Sequence, residues 1–479
     1  MIEEPPFGNA GNAWSTIKGI GAQRAGLWEA LNHLLADPSD AGNANWFVAC
    51  NKDDLLYSHA REKWLVFDGI IWGQDDSGQV KSRVESAVRA LLPAAADRPD
   101  AGKIAAWVTK SLSKRALAAI EELARYKLVA PKPEQFDADP MLLAVSNGVV
   151  DLSSGECWPG TPTDYLSRTS GVEHEPSALC PTWIAFLERI FDGDCDLIAY
   201  VQRAVGYTLT GKTTEQVFFT LHGTGANGKS RLQEILVALL GGYAQTAGVE
   251  TFLEHQGNRG STSDLARLEG ARLVVAAESD ENRRIAAGLL KQVTGGDQVT
   301  AALKYQNERT FAPTFKLWFA TNHLPRITDT SIGMWRRIHQ IPFKVVIPEA
   351  DRDLCLGEKL ARELPGILNW SIEGARSWQQ RGLDPPQAVL AATKAYRTAE
   401  DQLADFLEEI IDVGDAYTET TAALFKAYET YAIEAKIPKP EILSGRSFGG
   451  RLTEQGFAER RTRMARFRDG LRIKPQTPP

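Results

Sequence analysis

An α/β core built around a nucleotide-binding loop, with an α+β unit before it and a small basic unit after it, is the fold class this sequence predicts. Three observations carry it. The apolar run Gln216–His222 empties into Gly223-Thr-Gly-Ala-Asn-Gly-Lys-Ser230, which opens the helical pattern Ser230–Leu240. Strand, glycine-rich loop and helix in that order are what a phosphate-binding loop (P-loop) requires. A second apolar run, Arg272–Ala277, ends in the carboxylate Glu278, and strand and helix signals alternate across residues 210–345, as in an α/β domain.

The elements follow in order. Residues 1–40 read as a helical preamble with small-residue loops, and residues 41–205 as an accessory α+β domain. From Trp46 the pattern turns strand-like. Trp64–Phe67, the pair Asp68-Gly69 and Ile70–Trp72 read as a hairpin, because Asp-Gly favours a tight turn. Residues 79–127 carry helical periodicity. Leu142–Val145 and Gly148–Leu152 read as short strands around Asn147-Gly148, and helices resume at Thr182–Ile190 and run to about residue 205. The stretch Gly206-Tyr-Thr-Leu-Thr-Gly-Lys-Thr213 also fits the P-loop pattern, but it follows a helical run and precedes a strand. It is therefore read as a helix end and turn. Asn51-Lys-Asp-Asp54 resembles a guanine-reading motif but precedes the loop it should follow, so it is a chance match.

Residues 206–350 form the nucleotide-binding core and 351–415 a helical lid broken at Gly382–Pro386. Residues 416–474 form a separate unit: helices Thr421–Glu434 and Arg446–Gln455, then two short strands around Arg463–Arg466, a winged-helix-like pattern. A disordered tail, 475–479, is expected.

The 479 residues are 43% hydrophobic and 24% charged, ordinary for a soluble protein, and no apolar run approaches a membrane span. No membrane partner is expected. The five cysteines are scattered without a C-x-x-C pair, which argues against a zinc or disulfide framework and for a reducing cytoplasm. A net charge of −7 excludes a globally basic nucleic-acid coat. A local basic stripe would still suffice for DNA.

The loop residues Gly223, Thr224, Gly225, Ala226, Asn227, Gly228, Lys229 and Ser230 are the candidate nucleotide site. Curled backbone N–H groups and the following helix N-terminus attract phosphate. Lys229 would reach the β- and γ-phosphates of a nucleoside triphosphate, and the Ser230 hydroxyl would ligate Mg²⁺. Glu278, with Asp280 second, would hold the metal or polarise the attacking water; the bland reading is a loop of solvated acids. The strand Phe315–Thr321 ends in Asn322, which would touch the γ-phosphate or orient water, or else merely begin the turn at His323-Leu-Pro325. Arg336 and Arg337 beside the apolar Ile338–Phe343 are either a solvated edge or, in an oligomer, a source of an arginine inserted into a neighbour's site.

The order of the glycine loop, Glu278, Thr294-Gly-Gly-Asp297, Lys316–Pro325, Trp335-Arg-Arg-Ile338 and Ile341-Pro-Phe343 resembles a superfamily 3 helicase. More narrowly it resembles the helicase portion of phage and plasmid primase-helicases, related to the poxvirus primase-helicase. Phe136-Asp-Ala-Asp-Pro140 and Asn147–Leu152 extend the likeness upstream, so that it covers roughly residues 40–474.

The resemblance implies an AAA+-like core that uses ATP and Mg²⁺, with Lys229, Glu278, Asn322 and Arg336 as catalytic residues. Arg336 is preferred to Arg337 as the trans finger. It further implies a ring, a hexamer by analogy, whose hairpins between Lys291 and Phe311 enter a central channel, with Lys304 meeting phosphates and Tyr305 stacking on bases. The N-terminus leaves no room for the primase that often accompanies this helicase, so a separate primase or replication initiator is the expected partner.

Between Arg446 and Lys474 nine basic residues face three acids. Arg446, Arg451, Arg460, Arg461, Arg463 and Arg466 are the candidate DNA contacts, against a plain reading as a solvated tail or protein-docking module. The expected function is an ATP-dependent DNA helicase acting on single-stranded and forked DNA, in the bacterial host cytoplasm if phage- or plasmid-encoded. The alternative is a nucleotide-switched initiator or helicase loader; a packaging motor and a metabolic kinase fit less well.

Overall fold

The computed structural model describes residues 31–36, 38–94, 99–254, 263–277, 283–302, 308–329, 331–400, 402–435, 437, 442–463 and 465–475. Most of the expected preamble, residues 1–30, therefore lies outside the described chain.

After a helical stretch at 31–36 that buries Leu31 and Leu34 in its core, the first unit continues with helix α1 (Asp40–Asn51), capped by the Ser39 hydroxyl, which accepts from Gly42 N at 3.0 Å. Trp46 and Phe47 are buried on this helix, so the strand-like reading from Trp46 is corrected: strand begins only at β1 (Leu55–Ser58). β1, β2 (Lys63–Phe67) and β3 (Trp72–Gln74) form an antiparallel sheet in that order. The β2–β3 hairpin turns at Asp68-Gly69 as expected, but Ile70 and Ile71 belong to the turn. Asp68 Oδ1 accepts from both their amides at 2.9 Å, and Gly69 takes the left-handed conformation (φ +108°). Helices α2 (Gln79–Arg89), α3 (Ala101–Ser111) and α4 (Lys114–Arg125) pack their apolar faces on this sheet around Phe47, Val84, Ile104 and Ile120. A second three-stranded sheet follows, β4 (Leu142–Val145), β5 (Gly148–Asp151) and β6 (Cys157–Trp158).

Helices α5 (Pro181–Ile190) and α6 (Cys195–Leu209) lead into a five-stranded, wholly parallel sheet. Its strands are β7 (Phe218–His222), β8 (Ala244–Thr246), β9 (Leu273–Ala277), β12 (Lys316–Thr321) and β13 (Ile338–Pro342), in spatial order β13-β7-β12-β9-β8. All six residues of β12 are buried, as a central parallel strand covered on both faces should be. Helix α7 (Lys229–Leu240) connects β7 to β8 and buries Leu232, Ile235, Leu236 and Leu239 against the sheet. Helix α8 (Ala287–Gly295) precedes the antiparallel hairpin β10 (Val299–Ala301) and β11 (Arg309–Phe311). A hairpin therefore stands where one was expected. Its would-be tip residues Lys304 and Tyr305 lie outside the described residues.

The end of α6 explains the second glycine-lysine motif. The Lys316 ammonium is wholly buried and donates to the carbonyls of Thr210, Lys212 (3.2 Å) and Thr314 (3.1 Å), with the Tyr207 ring 4.9 Å away. Arg272, also buried, donates to Leu209 O and Leu142 O at 2.7 Å each. Carbonyls left unpaired at a helix C-terminus attract cations. Gly206–Thr213 is a helix end, as its context predicts.

Short helix α9 (Ile332–Trp335) precedes β13, and α10 (Leu356–Arg362), α11 (Leu364–Arg381) and α12 (Gln387–Ala399) follow it. α11 crosses α6 backbone to backbone. A Cβ on Gly206 would stand 2.0 Å from Ala375 N, and one on Gly374 2.1 Å from Gln202 O. α12 covers the sheet edge, where Thr393 Oγ1 accepts from Gln340 N at 3.1 Å and so occupies part of the open edge of β13.

The last unit is helix α13 (Gln402–Ile410), β14 (Ile411–Thr420), α14 (Thr421–Glu434), α15 (Gly445–Glu454), β15 (Glu459–Arg461) and β16 (Arg466–Ile473), with sheet order β14-β16-β15. Its core draws in Leu403 and Phe406 from α13, upstream of the boundary read at residue 416. Among the described residues no helix is long and apolar enough to cross a membrane.

Candidate nucleotide and nucleic-acid site

β7 sits second from the edge of the parallel sheet, and its chain leaves the sheet at His222 into the Gly223–Ser230 loop. The loop curls through left-handed conformations at Gly225, Ala226 and Gly228 (φ +106°, +51° and +88°). Gly223 has no alternative: a Cβ there would lie 2.3 Å from Phe343 O and 2.4 Å from Asn227 Nδ2. Gly228 is closed in likewise, with Ile190 Cγ2 at 2.6 Å from a Cβ.

Lys229, the first residue of α7, is buried. Its ammonium donates to Gly223 O at 2.6 Å, Asn322 Oδ1 at 3.0 Å and Asn227 Oδ1 at 3.2 Å. Three oxygens for three N–H donors is a full complement. Burial holds this ammonium below the usual lysine range. His222, at the end of β7, is lowered from its ordinary value by burial and then by the Lys229 charge. Ser230 is exposed, as are Thr224 and Ala226.

Asn322 follows β12, which lies between β7 and β9. The structure thus brings together Lys229, Asn227, Gly223 and Asn322. β9 ends at Ala277; the next residue, Glu278, and Asp280 fall outside the described residues.

Sequence reasoning missed the support beneath the loop. Phe343 N donates to His222 O (2.7 Å), and Ile347 N donates to Ala226 O (2.8 Å). Asn227 Nδ2 reaches Phe343 O at 3.5 Å. The segment after β13 is therefore a strap under the loop, and the flanking Pro342 and Pro348 were its only local signal.

The two adjacent arginines part company. Arg337 is buried, with Nε donating to Thr294 Oγ1 at 3.2 Å and Nη1 to Gly333 O. Arg336 is exposed and donates to Gln216 Oε1 at 2.7 Å. Ile338 pairs with Phe218 and Pro342 with His222, so Arg336 lies at the opposite end of the strands from the loop, roughly 15–20 Å away at strand rise. It cannot serve its own loop.

In the C-terminal unit Arg446, Arg461, Arg463 and Arg466 are exposed and Arg451 is half-buried. Arg460 is exposed but paired with Asp469 at 3.0 Å. Arg468, counted among the nine basic residues, is only 2% exposed and donates to Gly449 O, Phe457 O and Thr453 Oγ1, each at 2.7 Å. It holds the unit together. Phe448 is core, packed on Phe406, Phe425 and Tyr428.

The molecule is thus a mixed α/β protein with a parallel sheet, flanking helices and a lysine-bearing loop at the carboxyl end of its strands. Residues 44–192 match the "D5 N terminal like" family, and residues 221–337 match a family of unknown function, DUF5906. The chain is 29% identical over 297 residues to "Putative helicase L207/L206" of Acanthamoeba polyphaga mimivirus, covering 57% of this chain and 31% of that protein. It is 26% identical over 362 residues to "Putative helicase 022R" of Frog virus 3 (isolate Goorha), covering 57% and 37%. The chain therefore spans about a third of the length of these curated relatives. Among solved structures, the apo NrS-1 C-terminal region aligns at a TM-score of 0.46 and 12% identity, over 87% of this chain and 95% of that one. By these matches the chain is similar to phage and viral primase-helicase-like proteins.

Proposed function

We propose that this chain is an ATP-dependent DNA helicase that works as a ring-shaped oligomer, a hexamer by analogy with superfamily 3, with nucleotide hydrolysed between subunits. The observation that carries the reading is the Lys229 ammonium, held between Gly223 O and Asn322 Oδ1 at the carboxyl end of a β13-β7-β12-β9-β8 sheet. A cation poised inside a glycine-rich loop, with a polar side chain from the adjacent strand, suits a triphosphate. The helicase names of the viral relatives support the same reading.

In this reading Gly223–Ser230 is a P-loop and binds ATP. Lys229 turns from its present oxygens to the β- and γ-phosphates, and Asn322 senses the γ-phosphate or orients water. The exposed Ser230 hydroxyl and Glu278 would hold Mg²⁺, which would supply charge neutralisation on the phosphates. Arg336 completes a neighbour's site, since its own loop is out of reach. Lys304 and Tyr305 contact single-stranded DNA from the hairpin. Residues 402–475 act as a winged-helix-like DNA-binding unit through Arg446, Arg451, Arg461, Arg463 and Arg466, with Arg460 once freed from Asp469. A separate primase or initiator would complete the replication machinery.

The test is ATP-dependent strand displacement on a forked DNA, with Lys229→Ala as control. Unwinding by the wild type alone supports the helicase. DNA-stimulated hydrolysis without displacement would replace it with a loader or initiator.

A further inference from the structure

A cavity of about 500 Å³ lies away from the Gly223–Ser230 loop, between β2–β3 of the first sheet, the segment 167–171 and Gly242 just after α7. Its lining joins two chemistries. Trp72, Ile71 and Phe136 are the apolar, mostly aromatic part, and Arg61, Arg168 and Ser170 the polar part.

The aromatic side is rigid. Trp72 Nε1 donates to Pro162 O at 2.9 Å, and Phe136 packs edge-on to Tyr165 at 5.7 Å between ring centroids. The arginine side is rigid as well. Arg168 donates from Nη1 to Gly242 O at 2.8 Å and from Nη2 to Glu269 O at 2.6 Å, both neutral carbonyls. The Glu269 carboxylate stands 3.8 Å from Arg61 and 3.7 Å from Arg309. One glutamate, through its carboxylate and its carbonyl, therefore meets three guanidinium groups. Asp137 spends its carboxylate on the amide and hydroxyl of Ser167. The cavity lining thus holds two guanidinium groups and no carboxylate, together with the rings of Trp72 and Phe136.

We propose that this cavity binds a nucleotide unit, its phosphate on Arg61 and Arg168 and its base against Phe136 and Trp72. Guanidinium groups recognise phosphate oxygens directionally, and aromatic faces accept any base. A volume of this size accommodates such a ligand. The source is either a free mononucleotide or the end of a DNA strand. Arg309 belongs to β11 at the base of the hairpin, so a strand leaving that hairpin would meet this charge. Gly242 and α7 link the cavity to the Gly223–Ser230 loop. The strand-end source rests on the proposed contact of the hairpin with DNA; the free-nucleotide source does not depend on how that loop is read.

The test uses the full chain carrying Lys229→Ala, which disables the phosphate loop, titrated calorimetrically with inorganic phosphate, thymidine monophosphate and a 5′-phosphorylated oligothymidylate. Arg61→Ala removes charge from a side chain that is 29% exposed. Phe136→Ala removes the flat apolar surface against which the base would lie. Monophosphate binding that each substitution weakens about tenfold or more assigns a free-nucleotide site. The same pattern with the oligonucleotide alone assigns a strand end. Binding that survives either substitution, phosphate bound as tightly as the nucleotide, or no binding of any probe overturns the proposal.

Discussion

Lys229 and Asn322 lie 93 positions apart in the chain and share a 3.0 Å hydrogen bond. The asparagine therefore occupies one of the donors that phosphate would claim. Asn322→Ala should leave triphosphate binding within a few-fold of wild type and cut turnover on the order of a hundredfold. Lys229→Ala should abolish both. Equilibrium binding and steady-state hydrolysis, measured side by side, separate the two; unchanged turnover in Asn322→Ala removes the residue from the chemistry.

Arg336 and Arg337 should fail in different ways. Arg337→Ala withdraws a buried guanidinium from Thr294 and Gly333 and should lower stability by about 2 kcal/mol in urea unfolding. Arg336→Ala should unfold like wild type yet lose turnover on the order of a hundredfold or more. Mixed with Lys229→Ala chains, it should regain part of that turnover, because one chain keeps an intact loop and the other an intact arginine. No recovery on mixing would falsify action in trans.

Gly223→Ala should lose triphosphate binding, since its Cβ would stand 2.3 Å from Phe343 O and dislodge the strap from the loop. Gly225→Ala meets nothing within 4 Å. It should pay only for its left-handed backbone, about 1 kcal/mol, and bind more tightly than Gly223→Ala.

Acid should destabilise the parallel sheet through His339. Burial lowers its imidazole from 6.5 to about 4, and Tyr200 Oη lies 2.6 Å from Nδ1. The unfolded chain takes up this proton first, so stability is complete above about pH 6.5 and falls as the pH drops toward 4, by up to about 3 kcal/mol. Urea midpoints at pH 7 and pH 5 should diverge for wild type, and converge for His339→Gln after allowance for its lower starting stability.

Basic residues of the C-terminal unit should divide by burial. Arg446→Ala and Arg463→Ala should weaken duplex binding with little dependence on sequence, each reducing the salt slope by about 1. Arg468→Ala should instead destabilise the unit, because Gly449, Thr453 and Phe457 lose their shared donor.

What could be read beforehand was local. The Gly223–Ser230 loop declares itself because its conformation demands glycine, and β12 because the apolar run Leu317–Ala320 suits burial on both faces. Trp46 misled because aromatic residues favour strands, while Ser39, the residue that caps the helix Asp40–Asn51, was the better signal. β14 was invisible: Asp412, Gly414 and Asp415 are poor strand formers, and the strand exists through pairing with β16, some fifty residues on. Arg468 looked like its basic neighbours; only its place on the central strand, opposite Glu419 and Glu459, turns it inward. The strap at 343–347 and the opposed fates of Arg336 and Arg337 likewise come from register across the sheet.

The contact of α6 with α11 through Gly206 and Gly374 sets the smallest piece of this chain that can stand alone. One continuous apolar cluster runs from Leu143 through β7 and α7 to Val389. A fragment cut at 206 and 350 would bare the sheet face that α6 and α11 cover, and would precipitate rather than bind nucleotide. Between 140 and 400 the loop and the helices on either side of it stand or fall together, because they share that one cluster.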